Sequence, residues 1–133
     1  MNKNRYKFRG MAEGKNGFKT EKRWVYGSLL WWAGNPQIWT DDGCNFMVIP
    51  ESVSQFTGLH DKNGKEAYFD DTVRFPYSLP PFDGTNIEWH TGVIGMNEYG
   101  HSCIMVGDSK FHIQGVLKGE VVGNIHDNKL KSL

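Results

Sequence analysis

Between Ser52 and Val73 the chain reads SVSQFTGLHDKNGKEAYFDDTV, two strand-like runs around a polar centre. That centre, Asp61-Lys62-Asn63-Gly64, admits a calcium loop or a tight turn. A helix–loop–helix calcium site needs oxygen ligands at positions one, three and five, glycine at six and a bidentate Glu at twelve. Counted from Asp61, position five is Lys65, position six Glu66 and position twelve Thr72, so the calcium reading fails. Asn63-Gly64 suits the two positive φ angles of a type I′ turn. Phe56-Thr57 and Tyr68-Phe69 on either side favour strands. The spacing predicts a hairpin with its tip at DKNG.

Working outward, the same punctuation recurs. Tyr6 to Arg9 alternates, with Tyr6 and Phe8 on one face and Lys7 and Arg9 on the other. Ala12 to Thr20 reads as a turn-rich loop. Arg23 to Trp32 is the strongest strand candidate, followed by a turn at Asn35-Pro36, a return strand over Gln37 to Thr40, and a further strand from Asn45 to Ile49. After the central hairpin, a strand over Thr72 to Phe75 is expected to stop at Pro76, and Tyr77 to Asn86 is irregular. Short strands follow at Ile87 to Ile94, His101 to Val106, Phe111 to Ile113 and Glu120 to Val122. Such spacing fits a mainly-β fold with few or no long helices. We expect a single domain over 1–133. Within it, a small antiparallel meander (1–50) packs with an SH3-like, partly open β-barrel (51–133).

Composition agrees with a folded domain: 38% hydrophobic and 14% aromatic against 23% charged is not a disordered balance. No apolar leader precedes the first strand and no run reaches the roughly 18 residues of a membrane span, so a cytoplasmic protein without membrane contact is expected. Cys44 and Cys103 are then expected as free, buried thiols. The charges sum to zero but unevenly. Through Trp24 there are eight basic residues and two acidic ones, 8 − 2 = +6, which leaves −6 for the remainder. Lys7, Arg9 and Arg23 are therefore candidate nucleic-acid contacts, set against the alternative of a solvated edge strand.

The central run, together with Lys7-Phe8-Arg9-Gly10, Trp24-Val25-Tyr26-Gly27 and Gly123-Asn124-Ile125-His126-Asp127-Asn128, resembles the YopX family of bacteriophages, prophages and other mobile elements. The four motifs are colinear and span Lys7 to Asn128. The resemblance implies a β-rich fold, an origin in phage or mobile elements, and family-motif positions at Gln55, Thr57, Gly58, Asp61, Asn63, Gly64 and Asp71. The chain departs from the pattern at Ser54 and Asp70, where the family carries Gly. Positions that accept such changes shape strands and turns rather than a reacting centre.

Catalytic and metal chemistry find little footing. His101-Ser102-Cys103 places two ligand types on one strand face but lacks the second pair a structural zinc site uses, so no metal and no cofactor are expected. A Cys44–His90 or Cys103–His90 nucleophile pair has no sequence context to support it. Asp41-Asp42 and Asp70-Asp71 are adjacent in sequence and diverge or face solvent, so they make poor acid/base partners. Trp24, Trp31, Trp32, Trp39 and Trp89 are core candidates, or else a stacking face for single-stranded nucleic acid. The resulting expectation is a non-enzymatic accessory module that contacts a host or phage protein, and homo-oligomers are compatible with it. A weak single-stranded nucleic-acid binder is the alternative.

Overall fold

The computed structural model describes residues 7–16 and 19–126. Lys3, Arg5 and Tyr6 of the basic segment, and Asp127 and Asn128 of the last motif, lie outside them. By internal contact the chain divides into two units, Met1–Phe56 and Thr57–Leu133. Among the described residues the fold is mainly β: two antiparallel sheets, almost no helix and no closed barrel.

In the first unit β1 (Phe8–Asn16) and β2 (Lys19–Trp32) form a long hairpin, and β3 (Asn35–Trp39) and β4 (Asn45–Met47) extend it in the order β4-β3-β2-β1. Of the loop expected at Ala12 to Thr20, the described residues 12–16 and 19–20 instead belong to the paired strands of this hairpin, with Glu13 opposite Lys22 and Asn16 opposite Lys19. Backbone pairing, which a polar composition does not prevent, carries it. The next turn is Ala33-Gly34 rather than Asn35-Pro36. Its φ values of 52° and 82° make it a two-residue I′-type tip, and Pro36 sits within β3.

Directly opposed residues share a sheet face, so the register sorts the side chains. Val25 and Ile38 are buried with Ala12 and Val48, and Phe8, Leu29, Phe46 and Val53 pack against them. The sheet rolls enough for Ala12 to bridge to Val48 and for the Ile49 amide to reach the Met11 carbonyl at 2.9 Å. A 3₁₀ turn at Pro50–Ser52 follows. Ser52 is fully buried there, its hydroxyl accepting from the Met11 amide at 2.8 Å and donating to the Ile49 carbonyl at 2.6 Å.

β5 (Ser54–His60) opens against β1, with Ser54 opposite Arg9 and Gln55 opposite Phe8. Its later residues neighbour β6 (Glu66–Tyr68) in the second unit. There β7 (Asp71–Ser78), β8 (Ile87–Met96), β9 (Ser102–Val106), β10 (Ser109–His112) and β11 (Glu120–Asn124) form a sheet in the order β10-β9-β8-β7-β11. A 3₁₀ turn, Ile113–Lys118, joins β10 to β11. Val73, Phe75, Ile94, Ile104, Val116 and Val121 are the centre of its core.

Pro76 does not stop β7, which continues opposite Trp89. β11 flanks β7 only as far as Arg74, so Pro76 occupies a half-edge where the ladder on one side has ended. Among the described residues no helix is long and apolar enough to cross a membrane.

Candidate functional site

The four sequence motifs meet in pairs. Lys7-Phe8-Arg9-Gly10 and Trp24-Val25-Tyr26-Gly27 lie against each other as adjacent rungs, with Phe8 opposite Gly27, Arg9 opposite Tyr26 and Gly10 opposite Val25. A Cβ on Gly27 would stand 2.0 Å from the Trp39 carbonyl oxygen, so close backbone approach explains that glycine. Arg9 is buried at 5% exposure, its guanidinium 4.7 Å from the Trp24 ring centroid and its Nε donating to the Ser54 hydroxyl at 2.8 Å. The Ser that replaces a family Gly therefore supplies an acceptor for an arginine in another motif.

Asp61 organises the second pair. Its Oδ1 accepts from the amides of Asn63 and Lys65, each at 2.9 Å, and its Oδ2 from the amide of Val121 at 2.9 Å. Burial opposes ionisation, but the Val121, Lys65 and Asn63 amides together with the Lys65 charge outweigh it. They hold the carboxyl below its ordinary 3.8. The tip itself differs from the expected type I′ turn. Of its residues Gly64 alone has positive φ, +82°, and the bonds Gly64 N to Asp61 O and Asp61 N to Lys65 O close a three-residue loop. That is a type I turn followed by a left-handed glycine. Asn63 stays on the negative side because the Asp61 carboxylate already holds its amide.

The remaining motif positions are structural in the same sense. The Thr57 hydroxyl donates to the Ala67 carbonyl at 2.7 Å, and Gly58 has φ +87°. Asp71 is buried and its Oδ2 accepts the Tyr68 amide at 2.8 Å. Asp70, the other substitute for a family Gly, keeps a left-handed φ of +73°, and its Oδ2 lies 3.0 Å from Nε2 of buried His126. Gly123 and Asn124 pair with Thr72 and Asp71, and the Ile125 amide reaches the Asp70 carbonyl. The last motif thus closes on the end of the central one.

The three cations proposed for nucleic acid are not brought together. Lys7 sits 5.7 Å over the Tyr26 ring, Arg9 is buried, and Arg23 points to the other sheet face, 4.8 Å over Phe46. Cys44 is exposed rather than buried, Cys103 is buried, and both are free. His90 lies 2.9 Å from Glu88 and packs with Phe75, Tyr77 and Phe111. Cys103 pairs with Gly95, which alternates to the face opposite His90, so these two do not form a nucleophile pair. Of the acidic neighbours, Asp42 is tied to the Thr40 hydroxyl and Asp70 and Asp71 serve different partners. Among the described residues no group of three or more His, Cys, Asp or Glu is placed to hold a metal.

Of the two readings the sequence left for the tryptophans, core or open face, Trp31, Trp32, Trp39 and Trp89 are exposed rather than core. On the sheet face opposite the core, Tyr26, Leu30 and Trp32 of β2, Trp39 of β3 and Met47 of β4 are all exposed, Trp32 at 68% and Met47 at 62%. Ser28, Asn35, Gln37 and Asn45 alternate with them, and Asn45 Nδ2 donates to Gln37 Oε1 at 3.3 Å. The signal was in the sequence: no residue from Trp24 to Thr40 is charged. A solvated strand face normally carries polar side chains at every second position; on this one aromatic and apolar side chains alternate with amides and a hydroxyl.

Residues 7–130 match the family described as YopX protein. No curated protein and no solved structure matches the chain.

Proposed function

The chain belongs to the YopX family, and on that premise we propose that it is a non-enzymatic accessory module of phage or mobile-element origin. It works in the bacterial cytoplasm through protein contacts. The observation that carries this reading is the aromatic outer face of the first sheet, which carries no charge across β2 from Trp24, β3 and β4 and has Lys7 at its β1 margin. Exposed contiguous apolar surface of this kind marks interaction sites, and Trp and Tyr dominate the energetics of protein interfaces. The ionisable residues of the family motifs point the same way, since Asp61, Asp70 and Asp71 are engaged in holding strands and turns. The second unit is read as an SH3-like open barrel, a reading supported by its strand order and by the 3₁₀ turn between β10 and β11.

The test is affinity capture from host cells, read for protein and nucleic acid together. It uses the tagged wild-type chain and a Trp32→Ser/Trp39→Ser variant, with an untagged copy of the chain co-expressed. The expected result is one or more proteins retained by the wild type and lost by the variant, without nucleic acid at physiological salt. Recovery of nucleic acid that high salt removes, and that joint substitution of Lys7, Arg9 and Arg23 by Ser abolishes, would overturn the reading.

A further inference from the structure

We infer that the outer face of the first sheet pairs with the same face of a second copy of this chain, as a two-fold symmetric dimer. This rests on the reading of that face as a protein-contact surface and names the partner. A two-fold interface sets one surface against itself, so each residue near the axis meets its own kind. Charged faces pair badly in this way, because like charges are brought together and desolvated. Across β2 from Trp24, β3 and β4 this face carries no charged residue, and Lys7 lies at its β1 margin, over the Tyr26 ring. Its rows alternate an apolar side chain with an amide or hydroxyl, as in Leu30, Gln37 and Met47 across β2, β3 and β4. Apolar groups complement themselves, and an amide is both donor and acceptor, so Gln37 and Asn45 can bond to their own counterparts.

The area is of the right size. Tyr26, Leu30, Trp32, Trp39 and Met47 are exposed by 41%, 45%, 68%, 41% and 62%. Given the size of such side chains, they present on the order of 600 Å² of surface. With the intervening polar residues the face approaches the roughly 800 Å² that each partner gives to a stable interface. Two such sheets stack about 10 Å apart, the spacing of a sandwich core.

Sedimentation equilibrium between 1 and 200 µM tests the inference. The wild type is expected to show twice the 15.2 kDa mass of the chain at the upper concentrations. Trp32→Ser/Trp39→Ser is expected to weaken self-association at least tenfold. Trp31→Ser, on the opposite face, should leave it unchanged. Met47→Glu, at an exposed position on the edge strand, is the second disrupting variant should the double Trp variant fail to fold. In a Cys44→Ser background, Gln37→Cys is expected to form an intermolecular disulfide on mild oxidation.

A wild-type chain that stays at single mass at 200 µM overturns the dimer. So does a dimer that Met47→Glu leaves intact. If the chain is monomeric while the Trp32/Trp39 variant still loses a captured protein, the contact face stands and its partner is a different protein. If the variant loses neither mass nor partner, both readings fail.

Discussion

The Asp61 carboxylate accepts the Val121 amide at 2.9 Å across sixty positions of sequence. The same carboxylate also shapes the DKNG loop through Asn63 and Lys65. One side chain thus fixes a local turn and docks the start of β11.

Asp61→Asn is therefore expected to destabilise the protein by about 2–3 kcal/mol at neutral pH, the range for losing hydrogen bonds to a buried charged acceptor. Because its folded-state titration lies below 3.8, the carboxylate contributes its full stabilisation above that pH. The contribution is lost as pH falls through the lower folded value. Urea unfolding at pH 7 and at the lowest pH at which the protein stays folded should show a larger wild-type-to-variant difference at the first than at the second. Equal differences at both would contradict the assignment.

Gly64 adopts φ +82° with open space around its missing Cβ, so backbone conformation alone decides what it tolerates. Gly64→Val should cost about 1–2 kcal/mol, and Gly64→Asn clearly less, because Asn enters the left-handed region more easily. Thermal melts of the two variants give the comparison, and identical melting points for Val and wild type would rule out the loop geometry.

At Gly27 the constraint is contact. Gly27→Ala is expected to cost about 1–3 kcal/mol or more, since backbone rather than a flexible side chain blocks the new methyl. Gly14→Ala, on the same hairpin with nothing within 4 Å, should be neutral or slightly stabilising. Denaturant midpoints for the pair separate the two mechanisms.

Asp70 combines a left-handed backbone with a partner, His126. Asp70→Ala should destabilise by about 1–3 kcal/mol, since it keeps the φ penalty and drops the partner. Asp70→Gly, which relieves the backbone, should lose less. In a double-mutant cycle with His126→Ala, a coupling near zero would show that the 3.0 Å contact contributes nothing.

Cys44 is exposed and Cys103 buried. A thiol reagent should modify one cysteine in the native protein and both in denaturant, without prior reduction. Peptide mapping identifies which reacts first, and native labelling of Cys103 would refute its burial.

Much of this architecture was legible because strand punctuation is local. Gly, Pro, Asn and Asp mark chain reversals, and runs such as VYGSLLWW have few alternatives to a strand. Two of the errors share one cause. The residues 12–16 and 19–20, and those beyond Pro76, are strands because a partner strand lies beside them, a fact no short window contains. The type I′ geometry was assigned to the Asn-Gly pair that favours it in isolation, yet it occurs at Ala33-Gly34. At Asn63-Gly64 the Asp61 carboxylate imposes a different loop. The exposed aromatic face was legible only as one of two alternatives. Tryptophans read as core by composition, and only the register shows which of them face outward.

The pairing of motifs has a consequence for how such genes exchange parts. A crossover between Gly10 and Trp24 would join two halves of one interlocked hairpin from different parents. One between Val73 and Gly123 would part Asp70 from His126 and Asp61 from Val121. A breakpoint close to Phe56 leaves both interlocks whole and keeps Arg9 with Ser54, Met11 with Ser52 and Gly27 with Trp39 in one parent. Mosaic relatives are thus expected to change ancestry near that position, and chimeras joined there should express as folded protein more often than those cut within either unit.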